Sequence, residues 1–163
     1  ERLGVPSSGS SSDYITIGAY GSGENPIING ADLVKTWTVY GTNIWQATLT
    51  VEPSMVYIDE TLGDKKTSII ELVNEYDWYW VSNVLYLYAA SKPDTLYTNP
   101  GVEASIRNRC ISIDDQGYIV VQDLHLTKAK YDDILIADSI LERNFLFGQP
   151  NFHLRLIYMH PFP

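Results

Sequence analysis

One cysteine, Cys110, stands among 163 residues, so no internal disulfide staples the chain and no thiol pair offers a redox centre. A free cysteine usually packs as a small apolar side chain, and Cys110 is expected in the core. Charge is also scarce, at 19% of residues, and lopsided: 20 acidic against 11 basic side chains give a net charge of -9. No run of Lys and Arg forms a basic stripe against that balance, which argues against nucleic acid as a partner. Apolar runs stay short of the roughly 20 residues a membrane-spanning helix needs, so no membrane partner is expected. No charged start followed by an apolar segment marks a signal peptide. The chain opens on Glu1 rather than Met, and its natural beginning is expected upstream. His125, His153 and His160 with one distant cysteine lack a metal-ligand spacing, so no resident metal is expected. Gly21-Ser-Gly23 runs into Pro26 and a strand rather than a helix start, which excludes a phosphate loop. Ser and Cys nucleophile motifs are missing.

What is present is apolar and aromatic. Hydrophobic residues make up 45% of the chain, with 12 Tyr and 4 Trp; the length suits one domain, or one domain carrying a small insertion. From Leu3 to Asp32, Leu3-Gly4-Val5, Ile15-Thr16-Ile17 and Pro26-Ile27-Ile28-Asn29-Gly30 are separated by Ser, Gly and Asn, which predicts very short strands with sharp corners. From Thr36 to Pro100 the texture is aromatic: strands are expected over Trp37–Tyr40, Ile44–Leu49, Met55–Ile58, Trp78–Trp80 and Val84–Tyr88. In the last, Val84, Tyr86 and Tyr88 alternate with Leu85 and Leu87, so both faces should be at least partly covered. Thr67 to Glu75 reads as a short helix capped by Thr67 or Ser68, with Glu71 closing a capping box on Ser68. After Val102 the short-strand texture returns with a period. Ile111-x-Ile113 is echoed by Ile134-x-Ile136, and Val121-Gln-Asp-Leu124-His-Leu126 by Leu141-Glu-Arg-Asn144-Phe-Leu146. Near-repeats of about 20 residues predict a solenoid of short parallel strands, with Asn144 as a corner residue bonding backbone.

The stretch Val5-Pro-Ser-Ser-Gly-Ser-Ser-Ser-Asp-Tyr-Ile-Thr-Ile-Gly-Ala-Tyr-Gly-Ser-Gly-Glu-Asn-Pro-Ile-Ile-Asn-Gly-Ala-Asp32 resembles the early turns of right-handed parallel β-helix proteins. That superfamily holds pectate lyases, polygalacturonases and related carbohydrate-active proteins. The likeness is strongest to bacterial β-helix repeat proteins whose first turns are interrupted by a small β-rich insertion. Trp37 and Asn43-Ile-Trp45 look like the start of that insertion, Trp78-Tyr-Trp and Leu85-Tyr-Leu-Tyr its end, and Ile119 to Asn144 the resumed helix. The resemblance implies an all-β chain: a right-handed parallel β-helix (solenoid) fragment with an inserted small antiparallel β-rich subdomain. Residues 1–35 would be the first turns, 36–101 the insertion, and 102–163 the resumed turns and a C-terminal cap. The final stretch from Phe152 to Pro163 loses the corner residues; Leu154, Leu156, Tyr158 and Phe162 are expected either to cap the open end or to meet a second copy there as a homodimer.

Chemistry was sought in Asp123, His125, Lys128, Asp132, Asp133, Glu142 and Arg143. Turns of such a helix stack about 5 Å apart, so equivalent positions form rows and can assemble two carboxylates. Hydrolysis would use one carboxyl as acid and one as base, as Asp132-Asp133 weakly resembles; yet the accompanying Gly-His-Gly and Arg-Ile-Lys motifs of polygalacturonases are absent. Lyase chemistry would use calcium held by carboxylates such as Asp123, Asp132 and Asp133, with Arg143 as base. Otherwise no cofactor is expected. His125, between Leu124 and Leu126, should point outward. Sugar rings stack their C–H faces on aromatics, and Trp37, Trp45, Trp78, Trp80, Tyr79, Tyr86 and Tyr88 crowd the insertion. Trp78 and Trp80 share one strand face and Tyr79 takes the other, so one set should be buried and the other available. The expectation is therefore a carbohydrate-associated scaffold or polysaccharide-binding module, extracellular or at the cell surface, with Trp78, Trp80, Tyr79 and His125 on the ligand. The alternatives are a lyase or glycosidase built on the acidic cluster, or a structural, oligomer-forming protein.

Overall fold

The computed structural model describes residues 2–137 and 154–157. The described chain is all-β: beside its strands it holds one 3-10 turn, Ile69–Glu71, and one four-residue helix, α1 (Pro93–Leu96). In chain order the strands open with β1 (Leu3–Gly4), β2 (Ile15–Gly18) and β3 (Ile27–Asn29). Next come β4 (Ala31–Leu33), β5 (Thr38–Gly41), β6 (Ile44–Thr48), β7 (Val56–Ile58), β8 (Thr61–Leu62), β9 (Asp64–Lys65), β10 (Asp77–Val81), β11 (Val84–Tyr88) and β12 (Val102–Ser105). The chain then continues through β13 (Arg109–Asp114), β14 (Ile119–Gln122), β15 (His125–Thr127), β16 (Asp132–Ala137) and β17 (Leu154–Ile157). Two compact units result, one of residues 1–30 with 107–163 and one of residues 31–106. The seams fall at Gly30/Ala31 and Ile106/Arg107, about five residues outside the 36–101 stretch read from the texture change.

In the first unit every strand pairing is parallel. β1, β2 and β3 pair in order with β13, β14 and β15, and β13 continues through β16 to β17. The Ile111/Ile134 echo is a true register: Ile111 pairs with Ile134 and Ile113 with Ile136. Residues expected to lose the pattern instead supply β17, where Leu154 pairs with Ile134; Tyr158 and Phe162 lie outside the described residues. The strands stay short because corners intervene: Asp115, Tyr118, Asp123 and Lys128 all have φ between 53° and 58°, a left-handed conformation no strand continues through. Ile111, Ile113, Ile119, Val121 and Leu126 form the core with Cys110. Cys110 is fully buried, and its thiol donates to the carbonyl of Ile28 at 3.3 Å.

The second unit carries two sheets. β4, β12, β7 and β8 form an antiparallel sheet, while β5, β6, β11 and β10 form another that β9 extends with a parallel rung. Hairpin turns need φ above zero at both central residues; Ser82-Asn83 (50°, 66°) and Asp59-Glu60 (44°, 68°) supply it. Between the sheets lie Trp37, Val56, Ile58, Trp78, Leu85 and Leu87. The helix expected from Thr67 to Glu75 is only the 3-10 turn, and the capping box is half formed. Glu71 accepts from the backbone and hydroxyl of Thr67, both at 2.9 Å, whereas the Ser68 hydroxyl makes no cap bond. Three residues before Asp77 the chain is already committed to the turn that carboxylate holds, which leaves no length for a second helical turn.

Candidate functional site: a tyrosine face on the five-stranded sheet

Leu85 and Leu87 are completely buried. Strand alternation then sends Val84, Tyr86 and Tyr88 to the opposite side of the sheet, where each is half-buried. The registers spread that face across four strands: Tyr79 of β10 pairs with Tyr86 of β11, Tyr86 with Gln46 of β6, and Gln46 with Thr38 of β5. A bulge between Val39 and Gly41 inserts Tyr40 into the edge strand. Its ring meets that of Tyr86 edge-on, with centroids 5.0 Å apart and planes at 76°. Bulges of this kind re-aim a side chain, and this one brings an edge-strand tyrosine to a neighbour two strands away. Tyr40 remains 51% exposed. At the end of the row Asn43 donates to the Tyr88 hydroxyl at 3.1 Å, which fixes that phenol. The face thus offers ring surfaces, phenolic hydroxyls and the Gln46 amide, a set suited to stacking on apolar ring faces while bonding hydroxyls.

The opposite aromatic set is structural. Trp78 is 1% exposed and Gly63 leaves room for it, since a Cβ there would meet the indole at 2.8 Å. Lys65 holds its ammonium 5.3 Å from the ring centroid. This corrects the expectation that Trp78 contacts a ligand: its faces are already occupied. Trp80 is half-buried and donates its indole N–H to the Leu49 carbonyl at 2.8 Å, as Trp45 does to Ala89 at 3.1 Å; it too packs against the core. Trp37 is buried and bonds Val34 at 3.1 Å. Of the expected contact residues in this unit, Tyr79 is the one that belongs to the outer face.

The acidic constellation is not assembled among the described side chains. Asp123 is exposed at a left-handed corner, and His125 is exposed on β15, pointing outward as its alternation with Leu124 and Leu126 requires. Asp132 and Asp133 open β16, where Asp132 takes the register position beside Arg109. Glu142, Arg143 and Asn144 lie outside the described residues. Lys128 sits at a further left-handed corner.

Titratable groups the sequence did not single out pin the loops of the 31–106 unit. Asp77 is 2% exposed. Its carboxylate accepts from the backbone of Val73 at 3.0 Å and Asn74 at 2.8 Å, and pairs with Lys66 at 3.1 Å. Burial pushes this carboxyl up, but the N–H groups of Asn74 and Val73 and the Lys66 ammonium outweigh it and hold it below the usual carboxylate range. Lys66 also bonds Asp64, and it is raised by these two carboxylates. Tyr97 donates to Glu75, whose other oxygen accepts from Ala90 at 2.8 Å. Burial first, and then the Glu75 hydrogen bond, push the Tyr97 phenol well above its ordinary value. Asp59 accepts from Asn99 and Gly101 at 2.8 and 2.9 Å. The signal for these knots is an acid beside a turn, too common in sequence to be selective.

No family model and no curated protein matches the sequence. A solved structure, the complex of XylC with xylose, is similar in fold: the TM-score is 0.65 at 16% identity over 85% of this chain. This chain spans 33% of that one.

Proposed function

We propose that the chain is a carbohydrate-associated module that docks neutral saccharide rings on the tyrosine face. The observation that carries the reading is the row Tyr40, Tyr86 and Tyr79, ordered across the sheet by cross-strand pairing and an edge-on ring contact. Rigid aromatics bind at low entropic cost, because the sheet has already fixed them. The net charge of -9 disfavours polyanionic glycans and leaves neutral ones as the better match. The fold-level neighbour is a complex with xylose, which makes xylose and xylo-oligosaccharides the first probes. We further propose that the unit of residues 1–30 and 107–163 forms turns of a right-handed parallel β-helix. In support, three successive strands pair in order and in parallel with the next three. An extracellular or cell-surface setting, where polymeric glycans are met, belongs to the same reading.

The test is calorimetric titration with xylo-oligosaccharides, comparing the native chain with Tyr79→Ala and Tyr86→Ala. Each loss of a stacking ring is expected to weaken binding by about 1 kcal/mol, roughly fivefold. Trp80→Phe, on the opposite side, should leave affinity unchanged. Saturable binding that ignores both tyrosine changes, or no binding by the folded native chain, would overturn the proposal.

A further inference from the structure

A separate cleft of about 590 Å³ opens in the 31–106 unit, within the size range of pockets that take small organic ligands. Leu33 and Pro100 give it exposed apolar walls over the buried Pro93 and Tyr97, and Lys35, Lys92 and Asp94 supply its charge. Lys92 is neutralised by Asp94 at 3.2 Å, whereas Lys35 is exposed with no ion pair among the described residues. The cleft therefore carries one uncompensated positive charge in a strongly acidic chain.

Its walls are built in advance. Asp94 also accepts the backbone N–H of Trp37 at 3.2 Å, tying one wall to the other. Val34 donates to Val102 at 2.8 Å, and Asp59 holds the 99–101 turn through two backbone bonds. Between Lys35 and Trp37, Thr36 is fixed at φ 66°, a left-handed conformation that a β-branched residue adopts only when its surroundings impose it. Strain held at the rim of a pocket keeps the rim in one shape.

We propose that this cleft binds a small monocarboxylate with a flat apolar body, its ring against Leu33 and Pro100 and its carboxylate on Lys35. A dianion such as phosphate is a poorer match, because a single net positive charge leaves half its charge unpaired. A neutral sugar is also poorer, because it brings no charge to meet the Lys35 ammonium. The proposal does not depend on the tyrosine face, whose residues line the outer side of the other sheet.

The experiment follows backbone amide shifts of the full chain by NMR on titration with benzoate, benzamide, inorganic phosphate and xylose. Benzoate should saturate shifts at Lys35, Thr36, Thr98 and Gly101, and benzamide should bind about tenfold more weakly, the weight of one charge-assisted hydrogen bond. Lys35→Ala should reduce benzoate affinity by a similar factor, Lys35→Arg should restore it, and added salt should weaken it. Lys35 is exposed, so neither change threatens folding. Equal shifts with benzoate and benzamide, benzoate binding that survives Lys35→Ala, stronger binding of phosphate, or no cleft shifts at millimolar benzoate would each overturn the proposal.

Discussion

The 31–106 unit builds its core on tryptophan, with Trp37 and Trp78 buried and Trp45 and Trp80 bonded at its margin, and ties its loops with carboxylates, of which Asp77 is buried. The 2–30 and 107–137 segments do neither: their core is Ile, Val, Leu and one cysteine, and backbone contacts between stacked strands do the holding. A small β unit with few residues between its sheets gains most from large rings; the indole N–H groups of Trp37, Trp45 and Trp80 find backbone acceptors, and that of Trp78 has no protein partner. The parallel strands, two to six residues long, pack small aliphatic side chains and bring backbones close. The contrast assigns different weak points to the two units. Large side chains and charges should matter most in one, and the smallest side chain in the other.

The largest effect is expected at Trp78. Truncation to Ala removes the biggest fully buried ring and should cost about 3–5 kcal/mol. All four tryptophans lie between residues 37 and 80, so the fluorescence-detected urea midpoint reports this unit alone. Amides of β13 and β14 should keep their hydrogen-exchange protection. If they lose it equally, the two regions do not have separate weak points.

Asp77→Ala comes second. It leaves the Val73 and Asn74 N–H groups without their acceptor and Lys66 with Asp64 as its one remaining carboxylate, for which about 2–3 kcal/mol is expected. The same fluorescence midpoint measures it, and a loss below 1 kcal/mol would show that the knot is decorative. In the parallel unit the matching test is Gly30→Ala. A Cβ at Gly30 would meet backbone atoms of Ala129 at 2.6 and 2.8 Å and the Lys128 carbonyl at 3.0 Å. Backbone cannot step aside as a flexible side chain does, so about 1–3 kcal/mol should be lost. Exchange at β3 and β15 should rise while tryptophan fluorescence keeps its midpoint.

Much of this contrast could be read before the structure. Ile111-x-Ile113 and Ile134-x-Ile136 stand in adjacent strands of one ladder, and the repeat is legible because only two short strands and their corners separate them in sequence. A further echo is not legible in the sequence, although Ile15 pairs with Ile119 and Ile17 with Val121. The intervening unit hides that echo by setting it 104 residues apart in sequence. Alternation over Trp78-Tyr79-Trp80 said that the two faces differ but not which is inward; packing against Gly63 and Ile58 decides that, and both lie remote in sequence. The contact of Tyr40 with Tyr86 is not legible in sequence, because it lies at a bulge that has no sequence signature here. The cleft sets Lys35 and Lys92 in one lining, and the Asp94 bond to the Trp37 backbone ties their segments across 57 residues of sequence.

The smallest effect sharpens the comparison by pH. Asp77 is held below its unfolded value, so its contribution is complete above about pH 4 and is lost as pH falls through the folded value. Tyr97 is shifted the other way: the fold favours the neutral phenol, so its contribution is complete below about pH 10 and declines as pH rises from there toward the raised folded value. The urea midpoint seen by tryptophan should therefore fall at both ends, and each limb can be removed separately. Asp77→Asn should flatten the acid limb and keep the part of the alkaline limb that Tyr97 carries, while the smaller part from Lys66, which Asp77 helps to raise, shrinks. Tyr97→Phe should do the reverse, at a cost of about 1 kcal/mol at neutral pH for the lost bond to Glu75. If Tyr97→Phe leaves the alkaline limb unchanged, the phenol is not the group that senses it, and the Glu75 contact is a packing detail rather than a tie across the loop.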